Sequence, residues 1–213
     1  MKSVLIIGLG KFGHRLCEQM VALGNDVMII SNSESELEDL INVATTTKIG
    51  DCTNPAVLKS LGVETFDIVF VCVAEFQNSL EITSLCKELG AKYVISKTDR
   101  EVQEKFLLRN GADEVVYPDR DLADRLARRC SKNHVFDYIE LSEGFGIYEI
   151  PVKTQWVGKS MIDLNFRKRY HANILGIKSP DQKDNLMPDV NYKLAANEHL
   201  MVMCHMDYID DLT

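Results

Sequence analysis

The chain of 213 residues has no apolar stretch near the roughly 20 residues that a helix needs to cross a bilayer, which argues against a membrane-spanning protein. It has no excess of basic charge. Asp and Glu number 32 against 24 Lys and Arg, for a formal net charge of −8. A phosphate backbone is held by a basic face, so no nucleic-acid partner is expected. Paired cysteine spacing is also missing. The six cysteines, at 17, 52, 72, 86, 130 and 204, suit a reducing cytoplasm better than a disulfide framework. Cys72, inside an apolar run, reads as a small core residue. Nor is a secretory signal expected, since Val4 to Ile7 is the whole apolar run between Lys2 and a glycine turn. His199, Cys204 and His205 lie close in sequence, yet strand alternation puts Cys204 and His205 on opposite faces, and no metal site is expected there. Low-complexity tracts and short internal repeats are absent too.

What is present suits an ordinary globular protein: 46% hydrophobic and 26% charged residues, with length for one large domain or two small ones. The first feature with chemical content is "VLIIGLGKFGHRL", where Gly8, Gly10 and Gly13 stand at G-x-G-x-x-G spacing. An apolar run precedes them, and Phe12, Leu16 and Met20 follow at helical spacing. Strand, glycine turn and helix in that order form the context in which such a motif binds a nucleotide. The first glycine permits the turn, the second lets the backbone approach a phosphate, and the third lets the helix pack on the strand. Helix N-terminal N–H groups then favour an anion. The same glycines would also serve a tight turn alone.

Strand and helix patterns alternate onward from there. "DVMII", "ATTTKIG", "DIVFVCV", "YVIS" and "EVVY" read as strands. Between them, "SESELEDLI" reads as a helix with Leu37, Leu40 and Ile41 inward. "NPAVLKSLG" carries helix start and stop signals in Asn54, Pro55 and Gly62. "NSLEITSLCKELG" and "REVQEKFLLRNG" complete the series. This repeat predicts a Rossmann-like, doubly wound parallel α/β sheet. After "PDRDLADRLARRCS" the texture changes to short alternating segments, "VFDYIEL", "IYEIPV", "NILGIK" and "HLMVMC", with one helix near "MIDLNFRKRY" and a surface loop at "SPDQKDNLMPD". Two domains are expected, residues 1–132 and a smaller α+β domain of 133–213.

The strand ends supply the candidate ligand contacts. A dinucleotide fold usually places a carboxylate at the end of its second strand to hold ribose hydroxyls. Here that place is Ser31, followed by Asn32 and Ser33. These are weaker acceptors that leave room for a 2′-phosphate, with no arginine beside them. Read blandly, they are a turn rich in N-cap residues. Asp51 in "GDCT", the segment Val73 to Glu75, Lys97 and Lys11 are the other candidates.

At these residues the chain resembles the KTN/RCK family, the TrkA-type regulatory subunits of Trk and Ktr potassium transporters. The carrying blocks are "IIGLGKFG", "IGDCTNPAVLKSLGV", "LCKELGAKYVISK" and "GADEVVYPDRDLADRLA", followed by a tail similar to the family's C-terminal RCK domain, so that the likeness spans essentially the whole chain. The resemblance implies a non-catalytic, cytoplasmic gating protein, peripheral at the inner face of the membrane. It further implies a homodimer, commonly built into an octameric ring, beneath a membrane potassium-transporter subunit. Its N-terminal domain would bind ATP, ADP or NAD(H). Carried over by position, the contacts are Gly8, Leu9, Gly10, Lys11, Phe12 and Gly13, then Ser31 with Asn32 and Ser33. Asp51, Cys52 and Thr53, then Val73, Ala74 and Glu75, and finally Lys97 complete them. Lys11 stands where the family often has an arginine, keeping the charge without the bidentate fork. Asp119 occupies a place where some members have a glutamate linked to a divalent cation, and equally reads as the N-cap of the next helix. Cyclic di-AMP, which some C-terminal RCK domains bind, would meet Asn165, Arg167, Tyr170 and Ile174.

Two rival readings remain. An NAD(P)-dependent oxidoreductase needs an acid–base residue aimed at the nicotinamide. Histidines 134, 171, 199 and 205 fall in no dehydrogenase pattern, so catalysis is not expected. A sensor of the same fold serving another partner is the second. Because the ribose carboxylate is missing from the second strand, ATP or ADP is expected to bind at least as well as NADH.

Overall fold

Aliphatic runs without polar alternation become the strands of a parallel sheet whose two faces are both covered. The computed structural model describes residues 1–131, 137–142, 144–180 and 185–212, and it divides into two compact units, Met1–Asp121 and Leu122–Thr213. The first unit carries β1 (Ser3–Ile7), β2 (Asp26–Ser31), β3 (Thr46–Ile49), β4 (Ile68–Val71), β5 (Val94–Lys97) and β6 (Glu114–Val116). Every pairing among them is parallel, in the order β3-β2-β1-β4-β5-β6. The helices α1 (Lys11–Ala22), α2 (Pro55–Leu61), α3 (Phe76–Glu88), α4 (Glu101–Arg109) and α5 (Pro118–Ser131) follow β1, β3, β4, β5 and β6 in turn. Leu5 and Ile7 of β1 lie in one apolar cluster, Val4 and Ile6 in another. A strand buried on both sides has no reason to alternate. Strand order reverses between β1 and β4, and their carboxyl ends frame the crevice where such sheets bind ligands.

Helix α2 keeps its sequence signals: Asn54 Oδ1 accepts from Ala56 N at 2.9 Å, Pro55 opens the helix, and Gly62 closes it at φ 68°. The helix expected over "SESELEDLI" does not form. Two 3-10 turns, Glu34–Glu36 and Glu38–Leu40, stand in its place. Leu37 and Leu40 are buried as expected, but Ile41 is exposed. Serine hydroxyls divert the local hydrogen bonding, Ser33 Oγ to Ser35 Oγ at 2.8 Å and Ser31 Oγ to Glu36 at 2.6 Å. Glu34 and Glu38, four apart, would repel on a helix.

In the second unit β7 (Asp137–Ser142), β8 (Phe145–Pro151), β9 (Asn173–Lys178) and β10 (His199–His205) form an antiparallel sheet in the order β7-β8-β10-β9. Its core includes Ile150, Trp156, Phe166, Tyr170, Leu200 and Val202. The single helix expected near "MIDLNFRKRY" is two, α6 (Met161–Leu164) and α7 (Phe166–Tyr170). Asn165 breaks them apart at φ 44°, a left-handed conformation that asparagine tolerates better than most residues. The division between units falls within α5. The expected boundary at 132/133, His134, the start of "VFDYIEL" and residues 181–184 of the expected surface loop lie outside the described residues. Among the described residues no helix is long and apolar enough to cross a membrane.

Candidate functional site

A cleft of about 250 Å³ opens at the carboxyl ends of the first unit's central strands, lined by Gly8–Gly10, Ser31, Asn32, Asp51–Thr53 and Val73–Glu75. Gly8 turns at φ 88°, and a Cβ there would stand 3.0 Å from Val73 N. A Cβ at Gly13 would stand 2.2 Å from the Gly8 carbonyl oxygen, so α1 packs directly on the turn. Gly10 differs. Nothing lies within 4 Å of where its Cβ would be, and it immediately precedes α1. The first amides of that helix have no intrahelical acceptor, and the helix dipole favours an anion at this end. Open space at Gly10 beside free N–H groups fits a phosphate-bearing ligand.

Acidic groups on the rim are held by the backbone. Asp51 Oδ1 accepts from Thr53 Oγ1 at 2.7 Å and Thr53 N at 3.0 Å, and these bonds hold its carboxyl below the ordinary carboxylate range. Glu75 caps α3, its Oε2 accepting from Asn78 N at 2.7 Å. Burial pushes the Cys52 and Cys72 thiols to about 12, which leaves them as apolar lining and not as nucleophiles.

Several expected contacts sit elsewhere. Lys11, Phe12, Lys97 and Asp119 line a neighbouring cavity with Arg15 and Asp99, and Lys97 Nζ donates to Asp99. Gly13 is buried behind the turn. Ser33 lies outside the cleft lining and makes no side-chain cap, so the N-cap reading of this stretch is not realised. Asp119 is not an N-cap either: α5 begins at Pro118, and Asp119 lies exposed in its first turn. Among the described residues no group of three or more His, Cys, Asp or Glu side chains is placed to hold a metal ion. Cys204 is buried in the second core, and His205 is half-buried.

Sequence reasoning missed Glu36 and Asn78, which also line the cleft. Asn78 carried a signal, its place in the turn following a strand-end acid. Glu36 carried none, because its segment read as the outer face of a helix. In the second unit another cavity, of about 390 Å³, is lined by Asn165, Arg167 and Ile174 together with Asn173 and Val190. Tyr170 is not among them. Its ring is buried in the core against Trp156 and Phe166, and its hydroxyl accepts from Trp156 Nε1 at 3.0 Å.

A TrkA-N domain family model matches residues 4–118 and a TrkA-C domain model matches residues 146–213. The Ktr system potassium uptake protein C of Bacillus subtilis (strain 168) is 38% identical over 178 residues, 83% of this chain and 80% of that protein. Ktr system potassium uptake protein A of the same organism is 33% identical over the same shares. A solved structure described as the GsuK channel bound to NAD superimposes with a TM-score of 0.68 at 18% identity, over 96% of this chain and 37% of that one. The last is a likeness of fold, and the chain spans well under half of that structure's length.

Proposed function

The chain belongs to the TrkA family, a TrkA-N domain followed by a TrkA-C domain, and on that premise we propose that it is a nucleotide-sensing regulatory subunit of a Trk/Ktr-type potassium uptake system. Residues 1–132 form the sensing domain and 133–213 the regulatory domain. The observation that carries this reading is the cleft at the β1/β4 switch point, with open space at Gly10 and the N-terminus of α1 behind it. ATP, ADP or NAD(H) is the ligand class, with phosphates at Gly8–Gly10 and the adenosine towards Ser31 and Asp51–Thr53. Lys11 and Lys97 reach the far phosphate from the adjoining cavity, where a divalent cation beside Asp119 would help to distinguish a triphosphate from a diphosphate.

The ligand is read as a signal and is not consumed. Support comes from the cleft's own groups: its thiols are held protonated by burial, Asp51 is tied into a turn and Glu75 into a helix cap. A nucleotide shifts an assembly between shapes only if it binds one of them more tightly, and a tenfold preference corresponds to ~1.4 kcal/mol. A homodimeric, octameric ring at the inner face of the membrane would multiply that preference across its copies and transmit it to the transporter. Cyclic di-AMP at Asn165, Arg167 and Ile174 would act on the second domain, without Tyr170 as a contact.

Two experiments test this. Calorimetry with ATP, ADP, NAD and NADH should give saturable binding of at least one adenine nucleotide, and absence of binding by all four contradicts the reading. Affinity purification from membranes should recover a potassium-transporter subunit, and recovery of soluble partners alone counts against the assignment.

A further inference from the structure

The cleft holds a carboxylate that the strand pattern does not show. At the end of β2, where a dinucleotide fold usually carries an acid, stands Ser31. Ser31 is 5% exposed, and its hydroxyl is used in both directions: Oγ accepts from Ser33 N at 3.1 Å and donates to Glu36 Oε2 at 2.6 Å. Glu36 comes from the 3-10 turn that replaces the expected helix, and it lines the cleft beside Ser31 and Asn32. Its other carboxylate oxygen takes no hydrogen bond among the described residues. An acid displaced by five positions in sequence is thereby returned, through one hydroxyl, to the place the fold reserves for it.

We propose that Glu36, oriented by Ser31, is the ribose acceptor of this cleft and restricts it to adenine nucleotides with a free 2′-hydroxyl. The inference rests on the nucleotide-binding reading above. An ionised carboxylate accepts hydrogen bonds from ribose hydroxyls more strongly than a neutral serine does. A 2′-phosphate would bring its charge against that carboxylate, and no Lys, Arg or His is among the described residues lining the cleft to offset it. Serine and asparagine alone would tolerate NADP(H), whereas the Ser31–Glu36 pair discriminates against it. The ribose carboxylate is then present after all, and the expected handicap of NADH relative to ADP loses its basis.

Calorimetry on the full chain, with ADP, 2′-deoxy-ADP, NAD and NADP as probes, tests this in the wild type, Glu36→Gln and Ser31→Ala. The wild type should bind ADP about tenfold more tightly than 2′-deoxy-ADP, and NAD about tenfold more tightly than NADP. Glu36→Gln should reduce both ratios to about threefold or less, and Ser31→Ala should reduce them by a smaller factor. Glu36 is exposed, so its variant should keep the wild-type circular dichroism spectrum. A wild type without these preferences, or a Glu36→Gln variant that retains them, overturns the inference and leaves nucleotide binding standing. A wild type that binds none of the four overturns both.

Discussion

In the first unit the central strand sends Leu5 and Ile7 into one apolar cluster and Val4 and Ile6 into another, whereas β8 and β10 of the second unit bury only alternate residues. That difference decides where polar chemistry can collect. A sheet covered on both faces leaves only its strand ends open, and there the first unit gathers its glycine turn, Ser31, Asp51 and Glu75. The second unit keeps one sheet face outward, where Glu149 meets Lys178 and His199 across three strands. Trp156, Phe166 and Tyr170 pack into the core on the other side. One unit is built around a cleft and the other around a plug.

The largest expected effect separates the two cores. Trp156 is fully buried against Phe166 and Tyr170, and Trp156→Ala should cost the second unit about 3–5 kcal/mol in chemical denaturation. The affinity of the first unit for ADP should stay within about twofold of wild type, an amount below the effect of one hydrogen bond. A parallel collapse of ADP binding would break the comparison.

Next in size, two glycines of one motif should behave oppositely. Gly13→Ala drives a methyl against the Gly8 carbonyl and should destabilise the first unit by about 1–3 kcal/mol. Gly10→Ala meets open space and should change stability by about 0.5 kcal/mol or less, while lowering ADP affinity about tenfold. Equal stability losses at both positions would mean that the turn is structural only.

The smallest effect is the pH dependence that Glu149 gives the second unit. Burial pushes the Glu149 carboxyl up, but hydrogen bonds and charge from Lys178 and His199 outweigh it and hold it below its ordinary 4.5. A depressed folded value means that the stabilisation is fully present above about that pH and is lost as pH falls through the lower folded value. The stability gap between wild type and Glu149→Gln should therefore close on acidification below 4.5, as followed by fluorescence of the single tryptophan, Trp156. A gap that widens towards low pH would contradict the assignment.

Much of the first unit was legible in the sequence because its signals are local: the apolar run before Gly8, the spacing of Gly10 and Gly13, and the Asn54-Pro55-Gly62 punctuation of α2. The segment after β2 was not. Its pattern of Leu37 and Leu40 fits a helix and a pair of 3-10 turns alike, and serine side-chain bonds decide between them. Glu36 became visible only with that decision. In the second unit the strands alternate plainly, but the break at Asn165 and the inward turn of Tyr170 depend on the core that forms around Trp156. Tertiary packing settled what local pattern left open.

If the Gly8–Gly13 turn seats an adenine nucleotide, a crystal structure of the full chain grown with ADP will show it there. The phosphates should lie over Gly10 at the start of α1, with the ribose within hydrogen-bonding distance of Glu36. A cleft closed by its own side chains, or ADP bound elsewhere on the molecule, would contradict it.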